Sequence, residues 1–430
     1  MTMAPSKAIM TTTEASAITS FPITYDRPMP YSQRQLLRHD HRQPYRLHTD
    51  RKIPRLKFGD LLVEVYGIGL NPADWKSADL GYLLPSPSGL NEREFIGRII
   101  ASEVDQRCPL QMGEWVLAVP TDYRDIRKST FQEYTIVCCY NAIRIPKHVD
   151  PFKVASMGVA YVAAGLSLGV CLGVTFTKGP KKREFNLLEI ARKRPEDIPD
   201  DIIDEVFDAL APCYQAQPGE WLLIIIQLAK LGGLKVVGAT DLSKHQPLLQ
   251  SLGTDILVES SDLDQAKRDI KQLVPGSLRF AVDTVGPQTA AWCQQVLAER
   301  TSSRYCRPGY ETPTNRLSSA HVATRGGGSK LSHLVALAGT PPRYSPNIQV
   351  HTVPIKLFHT SQYVGGHLSK WLYELLDTHK LRPPEVESMS GGLDAINGAL
   401  EILKEGKTAG KGMVIRIKER DTLIESLCQA

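Results

Sequence analysis

Trp221-Leu-Leu-Ile-Ile-Ile226 runs directly into Gln227-Leu-Ala-Lys230, and is followed by Leu234-Lys-Val-Val-Gly-Ala239, Asp255-Ile-Leu-Val258 and Arg279-Phe-Ala-Val-Asp-Thr284. Each of these β-branched runs is four to six residues long, and amphipathic stretches such as Leu263 to Leu273 and Thr289 to Ala298 lie between several of them. Short apolar strands alternating with helical periods predict βαβ units: a parallel sheet with a nucleotide crevice at its carboxyl edge. The rhythm resumes in Ser332-His-Leu-Val-Ala-Leu-Ala-Gly339 and Val350-His-Thr-Val-Pro354, continues in helices from His367 to His379 and from Leu393 to Lys404, and ends on a strand, Gly412 to Ile417.

Upstream the period changes to two. Leu61-Leu-Val-Glu-Val-Tyr66, Trp115-Val-Leu-Ala-Val119 and Gln132-Glu-Tyr-Thr-Ile-Val137 predict strands, with glycines and prolines between them. Pro151 to Val174 is an apolar, glycine-containing run that predicts buried helix and not a membrane span. The chain is therefore an α/β protein of two domains. The expected boundaries are a disordered basic extension over 1–43, a β-rich domain over 44–155, a parallel-sheet domain over 156–365 with surface insertions at 178–212 and 300–330, a return to the first domain over 366–418, and a tail over 419–430.

The 430 residues are 42% hydrophobic and 23% charged, which excludes a largely disordered chain. The net charge of +5 is local: between Arg27 and Lys57 there are nine Lys or Arg against two Asp. The remainder is slightly acidic, which argues against nucleic acid as a partner of the whole protein. The eight cysteines form no CxxC pair and no evident disulfide framework, suiting a reducing, cytoplasmic setting.

Asn71-Pro-Ala-Asp-Trp-Lys76, Phe131-Gln-Glu-Tyr134, Val159-Ala-Tyr-Val-Ala-Ala-Gly165, Gln227-Leu-Ala-Lys230, Val282-Asp-Thr-Val-Gly286 and Thr408-Ala-Gly-Lys-Gly-Met-Val414 stand in the order found in zinc-independent medium-chain reductases. The set most resembles the fungal branch of trans-acting enoyl reductases and toxin-cluster oxidoreductases. That resemblance implies a GroES-like substrate domain, a Rossmann cofactor domain, and hydride transfer from NADPH to an activated carbon–carbon double bond in polyketide or other secondary-metabolite biosynthesis. A polyketide synthase is then a possible partner, with the basic residues around Arg34 to Arg55 facing an acidic carrier domain. A general quinone or enone reductase, and a catalytically impaired remnant that binds a partner, are the alternatives.

The resemblance also implies site residues. Lys76 borders the nicotinamide cleft as a donor to substrate oxygen or cofactor phosphate, or is a surface lysine. Tyr161 is a proton source, or a core tyrosine. Cofactor contacts are implied for Asn71, Ser243, Lys244, His245, Asp283, Thr284, Gly410 and Lys411. Ser243 and Lys244 favour the 2′-phosphate of NADPH, whereas Asp241 favours the free ribose of NAD. No metal is expected, because Asn71-Pro72 stands where zinc-dependent relatives carry a cysteine and no His-Glu pair occurs between 85 and 105.

Three patterns carry no such weight. Gly67-Ile-Gly69 continues into Leu-Asn-Pro and not a helix, Gly406-Lys-Thr408 lacks the upstream glycine of a P-loop, and His351 and His359 have no ligand partners at helical spacing. One feature opposes the assignment. A Rossmann crossover places a glycine-rich turn after its first strand to hold the pyrophosphate at a helix N-terminus. Here Ile226 meets Gln227 with no turn, and eight residues, Gln227 to Leu234, separate the first two expected strands. A crossover with its helix needs at least about 10 to 12, so some ten residues of the motif are missing.

Overall fold

The computed structural model describes residues 28–38, 40, 43–80, 94–120, 125–178, 183–193, 220–274, 278–298, 331–408 and 410–418. Most of the expected extension, most of the 178–212 insertion, all of 301–330 and the 419–430 tail lie outside these residues. The part of the extension within them is ordered. β1 (Gln33–Leu37) pairs antiparallel with β2 (Arg46–Arg51). Leu36 and Tyr45 are buried, and Tyr45 meets Phe131 edge-on at 5.1 Å. The basic residues hid two apolar anchors that tie this hairpin to the first domain.

The first domain is organised by β3 (Asp60–Leu70), buried along all eleven residues. After it come α1 (Pro72–Leu80), β4 (Glu94–Glu103), β5 (Trp115–Ala118), β6 (Tyr134–Cys138) and β7 (Ala142–Arg144). β3 pairs antiparallel with both β4 and β6. Cys108 and Cys139 are joined in a disulfide across 31 residues of sequence, a link that cysteine spacing did not reveal; Cys138, Cys171 and Cys293 are free.

The chain then enters the core through α2 (Gly158–Leu166), every residue of which is buried, and a π turn over 167–171. The start of the expected surface insertion is instead a hairpin, β8 (Thr175–Lys178) with β9 (Arg183–Asn186), followed by α3 (Leu187–Arg192). Phe176, Phe185, Leu187 and Leu188 are buried in the main core, so the apolar residues outweigh the charged ones that suggested a solvated segment.

The largest correction concerns Trp221–Ile226. These residues are not a strand: they open α4 (Glu220–Leu231), which is continuous through Gln227–Lys230. With no turn residue between Trp221 and Leu231, the helix that the second half requires propagates back through the first. The remaining elements keep the expected rhythm: β10 (Val237–Thr240), α5 (Leu242–Ser251), β11 (Ile256–Glu259), α6 (Leu263–Leu273), β12 (Phe280–Asp283), α7 (Pro287–Ala298), β13 (Ser332–Ala336), β14 (Ile348–His351), α8 (Leu357–Thr360), α9 (Gln362–Asp377), β15 (Val386–Met389), α10 (Ile396–Lys404) and β16 (Gly412–Arg416).

β16 returns to the first sheet, antiparallel to β3, giving the order β15-β16-β3-β4-β5-β7 with β6 also on β3. The parallel sheet, however, is in two leaves among the described residues: β10-β11 and β12-β13-β14. Placed on the doubly wound order 3-2-1-4-5-6, the leaves fill positions 3-2 and 4-5-6, and position 1 is the one that Trp221–Ile226 would have taken. Phe280, Ala281 and Val282 are accordingly only half-buried, although a central strand of such a sheet is covered on both faces. The helix layers still span the break. Leu278, Trp292 and Val296 pack against the same Val258, Ala266 and Ile270 cluster as Val237, Ala239 and Ile256 do, while Leu223 and Ile226 of α4 pack with Val236 and Leu257.

Candidate active site

Gly67 and Gly69 serve the first domain's packing. A Cβ on Gly69 would lie 2.1 Å from the Ala155 carbonyl oxygen, and one on Gly67 would lie 3.1 Å from the Phe152 ring. Their absence lets the segment leading into α2 cross directly over β3. That crossing brings the α2 N-terminus to the end of β3, where Asn71 begins the turn into α1. The Asn71 N–H donates to Asp74 Oδ2 at 2.6 Å and the Asp74 N–H returns a bond to the Asn71 carbonyl at 2.9 Å, an arrangement that caps α1 before Pro72.

Glu94, at the head of β4 and paired in register with Gly69, completes this corner. Its Oε1 lies 2.6 Å from the Asn71 side-chain amide and its Oε2 accepts the Val159 N–H at 2.9 Å. Burial pushes the Glu94 carboxyl up to about 8; the Asp74 charge adds to the rise, and the Asn71, Val159 and Gly158 donors only partly offset it. Gly158 is obligatory here, since a Cβ would sit 2.9 Å from Glu94 Oε2 and 2.7 Å from Val119. Asn71 Oδ1 and Ser156 Oγ are buried with no hydrogen-bond partner among the described residues. An orphaned buried acceptor costs about 1–3 kcal/mol, so Asn71 fits a ligand that would satisfy it. Glu94 did not stand out in the sequence; the available signal was a carboxylate opening a strand whose next residues, Phe95 and Ile96, are apolar.

Lys76 lies half-buried on the same α1, with Nζ 5.9 Å from the Trp75 ring centre. Tyr161 does not share the corner chemically. It is fully buried, its hydroxyl donates to the Leu368 carbonyl of α9 at 2.9 Å, and burial raises its pKa well above the usual phenol value. A phenol bonded to a backbone carbonyl inside the core has the environment of the core-tyrosine alternative.

At the carboxyl end of β10, Ser243 Oγ donates to Asp241 Oδ1 at 2.6 Å and Lys244 Nζ lies 2.7 Å from Asp241 Oδ2. The bonds from Lys244 and then Ser243 draw the Asp241 carboxyl down to about 2. The residues that would hold a 2′-phosphate and the acid that would hold a free ribose thus bind each other. The His245 N–H donates to the Asp241 carbonyl, and partial burial lowers its imidazole pKa. Asp283 ends β12, where its Oδ2 accepts the Gly286 N–H at 2.9 Å and closes the turn into α7; burial raises this carboxyl to about 6. Thr284 follows in the same turn. Gly410 (φ +81°) and Lys411 precede β16, whose Met413 pairs with Leu70, so they lie at the Asn71 end of the sheet, with Lys411 Nζ 3.6 Å from Glu385.

The site residues therefore form three groups. Asn71, Lys76, Gly410 and Lys411 share one end of the first sheet, Ser243–His245 end one parallel leaf, and Asp283–Thr284 end the other. Toward a dinucleotide, the first group offers Asn71 Oδ1, which has no partner among the described residues, whereas Ser243 and Lys244 of the second are engaged by Asp241. The dinucleotide's centre does not fit, because among the described residues no strand and no glycine-rich turn stand between the leaves. The described residues also hold no cluster of three or more metal-ligating side chains, and no helix among them is long and apolar enough to cross a membrane.

Comparison with known proteins extends over both domains. The chain is 22% identical to the trans-enoyl reductase resD of Aspergillus sclerotiorum over 382 residues, 86% of this chain and 96% of that protein. It is 25% identical to the trans-enoyl reductase mycC of Thermothelomyces thermophilus, covering 91% of this chain and 99% of that protein. Among solved structures, the CurK enoyl reductase superposes with a TM-score of 0.60 at 14% identity over 89% of this chain and 99% of that one, and the JamJ enoyl reductase with 0.58 at 13% over 89% and 99%. No protein-family model matches the chain.

Proposed function

We propose that this chain, a zinc-independent medium-chain reductase of the branch that holds the fungal trans-enoyl reductases, reduces an activated carbon–carbon double bond in secondary-metabolite biosynthesis. The observation that carries the reading is the length of the likeness: the relatives named trans-enoyl reductases align through both domains and over 96% and 99% of their own chains. A nicotinamide cofactor supplies the hydride in this fold when bound. We assign NADPH, on the strength of Ser243 and Lys244 at the end of β10.

The protein's own residues do the rest. Reduction of an enone or enoyl thioester builds negative charge on the carbonyl oxygen, and a preorganised donor there lowers the barrier. Asn71 and Lys76, on the turn and helix that leave β3, are the groups we assign to that oxygen and to proton delivery. For the partner we favour a polyketide synthase, which the resemblance of the sequence motifs to trans-acting enoyl reductases implies. In the basic stretch, Arg46, Lys52 and Arg55 are exposed and are the residues we assign to its acidic carrier domain, whereas three others are engaged within the fold. Arg38 is buried, Arg34 is paired with Glu133, and Arg51 bonds Gln35.

The split sheet favours a second reading, a catalytically impaired reductase. Each phosphate hydrogen bond from a glycine-rich turn is worth about 1.5–3 kcal/mol, so losing two or three costs a factor of roughly 10² or more in affinity. The test is an NADPH titration of the full 430-residue protein, read by nicotinamide fluorescence, beside a variant with a glycine- and serine-rich turn inserted after Ile226. Saturable binding by the unaltered chain supports the active reductase, and binding by the variant alone supports the impaired one. Binding by neither removes the cofactor assignment.

A further inference from the structure

The Glu94–Asn71 pair has two arrangements that offer opposite chemistry to a ligand. Glu94 Oε2 faces the Val159 N–H, a group that only donates, so Oε2 is an acceptor in either protonation state. Any proton on the acid therefore sits on Oε1, 2.6 Å from the Asn71 amide. That separation is short for N–H···O, which centres on about 2.9–3.0 Å, and ordinary for O–H···O. When Oε1 carries the proton, the Asn71 amide turns its oxygen toward it, and Nδ2 with its two N–H bonds takes the position of the opposite end. When the acid is ionised, Nδ2 faces Oε1 and the end without a partner among the described residues is Oδ1. The two amide ends have nearly the same shape, so the rotation leaves the packing intact.

We propose that Glu94 is a positioning residue: as the neutral acid it turns Asn71 into a hydrogen-bond donor toward a carbonyl oxygen of the bound reactants, and its ionisation turns Asn71 into an acceptor. The carbonyl is that of the conjugated substrate or of the nicotinamide carboxamide, a choice that rests on the reductase reading above; the coupling of acid to amide does not. The surroundings keep the acid neutral at pH 7. Among the described residues, the charged group facing it is Asp74 of α1, and it is of like sign. α2 presents only the Gly158 and Val159 amides, and β5 with the residue after it presents the Leu117 and Val119 side chains beside Gly158. Burial places the Glu94 transition near pH 8.

The coupling is tested on the full chain by infrared difference spectroscopy, wild type minus Glu94→Gln. A protonated carboxyl band is expected at pH 6.5 and should vanish above about pH 9, and Asn71→Leu should shift its frequency by removing the acceptor. Absence of the band, or a band that Asn71→Leu leaves in place, overturns the proposal. In the enzymatic arm, wild-type kcat/KM should fall about tenfold per pH unit above the transition. Glu94→Gln, whose Nε2 permanently donates to Asn71 Oδ1, should give a profile flat from pH 6.5 to 9.5; a retained alkaline limb refutes the role. A limb already present in the NADPH Kd assigns the carboxamide oxygen, whereas a flat Kd with a limb in kcat/KM assigns the substrate carbonyl. A chain that binds no NADPH with or without the inserted turn overturns the cofactor assignment and the ligand given to Asn71, while the infrared band still decides whether acid and amide are coupled.

Discussion

The break in the parallel sheet can be read amide by amide. β10 and β12 each have four residues and one ladder, β10 to β11 and β12 to β13. Alternate residues of a parallel strand address opposite neighbours, so each strand turns about two N–H groups toward the unfilled centre. Inserting a glycine- and serine-rich turn after Ile226 frees Trp221–Ile226 to form the strand their β-branched sequence favours, and that strand would seal both edges. If sealing raises the local opening cost by about 3 kcal/mol, exchange of these amides slows roughly 100-fold. Hydrogen exchange monitored over 237–240 and 280–283, with 332–336 as an internal reference already paired on both sides, measures this directly. The expected result is strong new protection at the first two and little change at the third. If 237–240 and 280–283 are as protected in the unaltered chain as 332–336, the edges are already covered and the two-leaf arrangement is wrong.

Other consequences are more local. Tyr161→Phe removes the bond to the Leu368 carbonyl and should cost about 1–2 kcal/mol of stability, with kcat within about twofold of wild type; a fall of 10² or more in kcat would assign Tyr161 as the proton source. Lys76→Met should lower kcat/KM by roughly 10² or more, and unchanged steady-state kinetics would return Lys76 to a surface role. His333 Nδ1 and His351 Nε2 lie 3.0 Å apart, and burial, reinforced by the neighbouring His333, depresses His351 to about 4. An unfolded histidine binds a proton near pH 6.5 that the folded one refuses, so stability is complete above pH 6.5 and declines toward pH 4, by about 3 kcal/mol at most. Urea unfolding of His351→Gln should show a flatter acid limb, and an unchanged limb would point to other groups.

Much of the architecture was legible because it is local. The periodicity of Leu263 to Leu273 gave α6 residue for residue, and the runs at Asp255, Arg279 and Gly412 gave β11, β12 and β16 to within a residue or two. The features that escaped depend on contacts between distant residues. Tyr161 and Leu368 are 207 positions apart, Asn71 and Glu94 are 23 apart, and Cys108 and Cys139 are 31 apart. No local pattern says where a phenol points or which carboxylate is enclosed. Trp221–Ile226 shows a different limit, since Ile224, Ile225 and Ile226 favour a strand while Leu222 and Leu223 favour a helix, and the absence of a turn was itself visible. Which neighbour would prevail could not be read. The helix did, because Gln227 fixes its second half: Nε2 donates to the Arg382 carbonyl at 3.1 Å and Oε1 accepts the Arg382 N–H at 2.8 Å. The first half, with no turn to release it, continues the same helical ladder. The same six residues are a helix where Gln227 follows Ile226 directly and are expected to become a strand where a turn is placed there, so the dinucleotide crevice is tested at that one peptide junction.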